Sequence, residues 1–198
     1  MILVFATRNP DKLKEMKDIL IGLDIEVLSM DKTDVKEDVV EDGQTFAENA
    51  LKKARFVTQK TGEWAVADDS GICIKALNNA PGVRSARWAG EGASTEKIMQ
   101  HALEQMKDVP EGRRQAWMES AAALTAPDGR HWIFTGKVGG DITLKPAGKA
   151  KPGMPYDYIF KPKGYHQTFA EMSNAEKNNL SHRGAAFRQL IEFIKKIL

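Results

Sequence analysis

The chain has 198 residues, enough for one well-packed domain and too few to make a second independent domain the default. Its 42% hydrophobic and 28% charged content is that of an ordinary globular protein, which excludes disordered, collagen-like and membrane-spanning classes. With 29 Lys and Arg against 27 Asp and Glu, net +2, there is no general electrostatic case for nucleic acid, and the single cysteine, Cys73, excludes an internal disulfide or a thiolate metal cluster and fits a reducing compartment.

In chain order, residues 2–5 form an apolar run suited to a strand buried on both faces. The opening run at residues 1–6 is too short for a signal segment and lacks a basic leader, so a cytoplasmic protein is expected. The strand breaks at a polar loop, Thr7-Arg8-Asn9-Pro10-Asp11-Lys12. A helix follows with Leu13, Met16, Leu20 and Leu23 inward, and residues 25–28 return as a second strand. A β-α-β opening implies a parallel pair.

An acidic, turn-like stretch, residues 34–42, leads into a helix with Phe46, Ala50, Ala54 and Val57 inward and Glu48, Lys52 and Arg55 on the opposite face. Residues 64–67 read as a short buried strand that ends abruptly at a second polar loop, Asp68-Asp69-Ser70-Gly71. The Ala80-Pro81-Gly82 loop precedes a helix over about 95–106. Residues 114–126 and 131–144 flank the turn Pro127-Asp128-Gly129-Arg130 as an antiparallel hairpin, assigned to the smaller of two lobes. Ser173-Asn174-Ala175-Glu176 is a capping box. A last helix, starting just after Ser181-His182-Arg183-Gly184, turns Phe187, Leu190, Ile191, Ile194 and Leu198 inward.

Three of these stretches carry candidate chemistry. Thr7, Asn9 and Lys12, between a strand and a helix, make either an anion site at the helix N-terminus or a polar turn in which Asn9-Pro10 starts the helix. Walker A spacing is absent. Asp68 and Asp69 offer hard oxygen ligands at a strand's C-terminal end, suited to Mg²⁺ or Mn²⁺, with Glu41 as a further ligand from another loop; otherwise both are acidic turns. Lys177, His182 and Arg183 put cations near the N-terminal mouth of the last helix, where its dipole disfavours them. Either an anionic or carbonyl-rich ligand explains them, or Ser181 caps the helix and its neighbours face solvent.

Seven motifs stand in register: A-T-x-N-x-x-K (residues 6–12), E-D-G-x-T-F-x-E-N-A (41–50), K-A-R (53–55), A-D-D-S-G (67–71), A-P-G-x-x-S-A-R (80–87), T-F-A-E-M (168–172) and E-K-N-x-L-S-H-R-G (176–184). Together they resemble the inosine triphosphate pyrophosphatase family, the RdgB-like enzymes that remove dITP, ITP and XTP. The resemblance implies an elongated, ITPase-like α/β fold, a central mixed sheet flanked by helices, in one domain over 1–198 whose two lobes surround a nucleotide cleft. It implies a metal-activated water attacking the α-phosphate to give the monophosphate and pyrophosphate, with Mg²⁺ or possible Mn²⁺. A homodimer is implied, without nucleic-acid or membrane partners.

On the matching positions, Thr7, Asn9, Lys12 and Lys53 would hold the triphosphate, and Glu41 and Asp69 would bind the metal or position the water. Ser70, Lys177, His182 and Arg183 would contact the nucleotide, the last two near the base. Asp69 is the candidate general base and Asp68 the alternative, with Lys53 counted in the same catalytic group. Donors facing the 6-oxo group of hypoxanthine or xanthine would disfavour adenine, whose amino group is itself a donor.

The family's G-G-F-G-Y-D-P-I-F stretch reads here as residues 152–160, preceded by what looks like a two-residue insertion in Lys149-Ala150-Lys151. Tyr156 and Asp157 are kept to shape the base pocket, Met154 replaces the aromatic platform, Pro155 a glycine and Tyr158 a proline. Stacking on an aromatic is worth about 1–3 kcal/mol per base. Arg8, Arg84 and Trp117-Met118 are further departures. The alternatives are therefore a pyrophosphatase for another modified nucleotide, or a nucleotide-binding protein with impaired catalysis.

Overall fold

The structure is a computed structural model that describes residues 2–20, 25–149 and 153–197. Leu23, Leu198 and the Ala150, Lys151 and Pro152 part of the altered segment lie outside the described residues. Six strands form one mixed sheet in the order β2-β1-β3-β4-β5-β6, flanked by helices. β1 (Ile2–Phe5) lies parallel to both β2 (Glu26–Ser29) and β3 (Trp64–Ile74), as the β-α-β reading requires, with α1 (Pro10–Leu20) as the crossover. β4 (Gln115–Thr125) and β5 (His131–Ile142) form the hairpin, and β6 (Phe160–Pro162) runs antiparallel to β5.

Backbone contacts divide the chain into two units. The first holds Met1–Asp69, Ser120–Gly136 and His182–Leu198, the second Ser70–Glu119 and Lys137–Ser181. The division falls inside β3, β4 and β5, so the hairpin is not confined to the smaller lobe as expected: its turn half belongs to the first unit and its open half to the second. Each unit has a core of its own. In the first, Leu3, Phe5 and Val66 pack with Met16 of α1 and with Phe187, Leu190 and Ile194 of α5 (His182–Ile197). In the second, Ile72 and Ile74 pack with Ile98 and Ala102 of α3 (Thr95–Gln105) and with Phe160 and Phe169.

Two boundaries differ from the sequence reading. Asp68-Asp69-Ser70-Gly71 is not a loop, because β3 continues through it to Ile74. The carboxylates Asp68 and Asp69 are buried and each has one oxygen held by a side-chain partner, and the apolar run resumes at Ile72, so the strand has no reason to stop. The last helix begins at His182 rather than after Gly184, so His182 and Arg183 form its first turn.

Among the described residues no helix is long and apolar enough to cross a membrane.

Candidate functional site

β1 pairs with β3 only as far as Val66, and Ala6 N–H donates to the Val66 carbonyl at 2.8 Å. Beyond that point the chain of β1 turns away through Thr7 into α1, and Asp68 and Asp69 of β3 lie past its end. The Thr7 hydroxyl accepts from Asn9 N–H at 3.1 Å, Pro10 takes the first helical position, and the Asn9 side chain accepts from Lys12 N–H at 3.4 Å. The polar-turn reading is thus realised in the backbone, and the turn aims Lys12 at β3.

Lys12 Nζ lies 3.1 Å from Asp68 Oδ2, and the same oxygen accepts from Arg183 Nε at 3.1 Å. Arg183 Nη1 also donates to Glu15. Burial alone would raise the Asp68 pKa, but Lys12, Arg183 and Lys53 together hold it well below the usual carboxylate range. Burial lowers the pKa of Lys12, with Asp68 opposing and Arg183 and Lys53 adding to the fall.

One position along the strand the balance reverses. Asp69 has its pKa raised, chiefly by burial and further by the charge of Glu41, against opposing contributions from Lys53 and the Asn49 amide. Asn49 Nδ2 donates to Asp69 Oδ2 at 3.0 Å. Lys53 Nζ donates to the Asp68 carbonyl at 2.8 Å and pairs with Glu41 at 2.9 Å. Asn49 and Lys53 sit one turn apart on α2 (Phe46–Thr61), whose N-cap Thr45 accepts from Glu48 N–H. Glu41 comes from the acidic stretch after β2, which is tied down by Arg8 to Asp38, Lys52 to Asp42 and Lys60 to Glu37.

The cations near the start of α5 neither face solvent nor wait for an outside ligand to balance them. Lys177, His182 and Arg183 are all buried, with Arg183 held by Asp68 and Glu15 and Lys177 by Asp157 at 2.7 Å. Internal carboxylates offset the unfavourable dipole.

In the second unit, Tyr156 is buried and its hydroxyl donates to the Ser85 carbonyl at 2.8 Å. Burial pushes its pKa up, so it shapes this region as a neutral strut. Met154 is buried, Pro155 starts the short 3₁₀ turn that carries Tyr156 and Asp157, and Ser70 is half-buried on β3. Of the departures, Trp117 donates to Glu119 at 3.2 Å and has the Lys137 ammonium over its ring, Met118 joins the core, and Arg84 is exposed.

Of the expected site residues, Lys12, Glu41, Lys53, Asp68, Asp69 and Arg183 join one network in the first unit, entered by Thr7 and Asn9 through the turn. Two members escaped the sequence reading. Asn49 signals itself as a polar residue on the inward stripe of α2 between Phe46 and Lys53, and Glu15 as a carboxylate one turn after Lys12 on α1.

A sequence model of the Ham1 family matches residues 3–193. The chain belongs to the Ham1 family. A dITP/XTP pyrophosphatase of Streptomyces coelicolor is 42% identical over 198 residues, spanning 99% of this chain and 98% of that protein. The Ham1-family structure from Coxiella burnetii superposes with a TM-score of 0.89 at 38% identity, covering 99% of both chains. The Staphylococcus aureus Ham1 protein gives 0.88 at 31% identity, covering 100% of both.

Proposed function

We propose that this chain hydrolyses the non-canonical purine nucleoside triphosphates dITP, ITP and XTP to the monophosphate and pyrophosphate, with the help of a divalent cation. Its relatives' names supply the reaction, and the contrast between two adjacent carboxylates supplies the chemistry. Asp68 is pinned as an anion by Lys12 and Arg183, so it has little tendency to take up a proton. Asp69, with its raised pKa and Asn49 orienting one oxygen, is the better proton acceptor. We therefore assign Asp69 as general base and Asp68 as counter-ion to the cations.

Lys12 and Lys53 neutralise triphosphate charge, which must fall before a water can approach phosphorus. Among the described residues no three His, Cys, Asp or Glu side chains gather as a complete metal site. The pair Glu41 and Asp69 still fits Mg²⁺ or Mn²⁺, since such ions use one or two carboxylates together with substrate phosphates. Glu41 also contributes to the raised Asp69 pKa, a repulsion that a cation would relieve. When bound, the ion supplies charge neutralisation and makes water easier to deprotonate. Ser70, Met154, Tyr156, Asp157, Lys177, His182 and Arg183 are assigned to the nucleotide, with His182 and Arg183 as donors toward a 6-oxo base. A cytoplasmic homodimer completes the proposal.

Pyrophosphate release from ITP, dITP, XTP, GTP, dGTP, ATP, CTP and UTP with Mg²⁺ tests the reading. Preference for the first three is the expected result. Turnover confined to another base would favour the second reading, motivated by Met154-Pro155, of a different modified nucleotide. No turnover of any triphosphate by folded protein would sink the assignment.

A further inference from the structure

Arg183 divides its guanidinium between two carboxylates, giving Nε to Asp68 Oδ2 at 3.1 Å and Nη1 to Glu15. Lys12 uses that same Asp68 oxygen, while Asp68 Oδ1 is buried and makes no hydrogen bond among the described residues. With no competing carboxylate, a guanidinium that offers Nε to a carboxylate adds a second, parallel bond from Nη2 and gives it the whole of its charge, which would draw both oxygens of Asp68 to Arg183. Glu15 is a competing carboxylate that holds the opposite edge of the guanidinium through Nη1 and draws on its charge and its placement. Its side chain is 15% exposed and lies on α1 one turn after Lys12, so one helix supplies both the cation that needs Asp68 and the anion that restrains its rival.

We propose that Glu15 is a positioning residue for triphosphate binding: by holding Nη1 on the far edge of Arg183 it takes a share of the guanidinium charge and anchors Arg183 where its Nε meets Asp68 Oδ2, and so keeps the charge of Asp68 available to Lys12. The proposal rests on the reading above that Lys12 meets the triphosphate. Lys12 is half-buried, with two other cations, Arg183 and Lys53, and two carboxylates, Asp68 and Asp69, around it. Asp68 is the anion in contact with it, so withdrawing that contact weakens both its charge and its placement. Asp69 takes its amide hydrogen bond from Asn49 of α2, so proton transfer there should be spared.

The test measures binding of inorganic tripolyphosphate by calorimetry, and KM and kcat for ITP with Mg²⁺, in Glu15→Ala and Glu15→Gln. Tripolyphosphate has no base or sugar, so its binding reports on positioning even if wild-type protein turns over no nucleotide, the outcome that would defeat the activity reading alone. The expected result is a loss of affinity and a rise in KM of about tenfold in Glu15→Ala, the scale of one charge-assisted contact, with kcat changed by less than about twofold. Glu15→Gln, which keeps the shape and removes the charge, should show a smaller shift of the same kind and answers the question if the Ala variant does not fold. Unchanged affinity in the folded variants, a fall in kcat at constant KM, or no binding of tripolyphosphate by wild type would overturn the proposal.

Discussion

Asp68 receives Lys12 and Arg183 on a single oxygen, whereas Asp69 accepts an amide from Asn49 and faces the negative charge of Glu41. The same residue type, one position apart, is thereby given different work. Asp69→Asn should cut pyrophosphate release by about a hundredfold or more while tripolyphosphate binding stays within a few-fold of wild type. Asp68→Asn should instead weaken binding and lower stability by about 3–5 kcal/mol in a denaturant titration, since it leaves Lys12 and Arg183 short of an anion in a buried place. Equal behaviour of the two variants would remove the distinction. Cys73 offers a pH test away from this network. Burial, with Glu119 adding and Lys137 opposing, pushes its thiol up to about 11. Thiolate is the reactive form, so at pH 8 roughly one molecule in a thousand is poised to react, and alkylation of native protein should be slow and quicken toward pH 11. The raised folded value means that the stability linked to this group is intact below the unfolded thiol pKa and declines as pH rises through the folded value. Native alkylation at pH 8 as fast as in denaturant would contradict the burial.

The elements were largely legible because their signals are local. The unbroken apolar run of β1, the stripe of Phe46, Ala50, Ala54 and Val57 on α2, and the Pro127-Asp128-Gly129-Arg130 turn each specify their element without reference to the rest. The boundary errors at β3 and α5 share a different cause. A run of Asp-Asp-Ser-Gly reads as a turn on propensity, and His-Arg-Gly reads as a helix preface, because the partners that make them acceptable inside a strand and a helix are remote in sequence: Arg183 for Asp68, Asn49 for Asp69, Glu15 for Arg183. Packing between β5 and α5 was equally hidden. A Cβ added at Gly136 would come within 2.0 Å of the His182 carbonyl oxygen and 2.8 Å of the Ala185 Cβ, a close approach that only glycine permits. Gly136→Ala should therefore cost about 1–3 kcal/mol or more and depress activity by shifting the first turn of α5. Gly139→Ala, where nothing lies within 4 Å of the added Cβ, is the matched control on the same strand, and melting curves of the two compare them directly.

For the whole molecule, the sequence-level reading named six members of the charged network before the fold was in hand, yet it could not say which charges were spoken for. Lys12, Arg183 and Lys177 looked like cations awaiting an anionic ligand, and the fold pairs each with a carboxylate. Spacing along the chain reports residue types at a site; the pairing among them depends on which strand and helix carry them side by side. This bears on how a polyanion is captured. The protein as a whole carries only +2, so no strong long-range field draws a triphosphate in, and the cations that meet it act over distances shorter than the screening length of roughly 8 Å at physiological salt. Capture should then depend on short-range contacts of phosphate oxygens with Lys12, held in place by Asp68, and with Lys53 beside Glu41, which salt screens weakly because these groups are half-buried or buried. Raising KCl from about 50 to about 500 mM at fixed free Mg²⁺ should accordingly lower kcat/KM for ITP by less than roughly threefold. A fall of tenfold or more would mean that exposed lysines outside this network steer the substrate, and would move the search for the rate-determining charges from Lys12 and Lys53 to the surface.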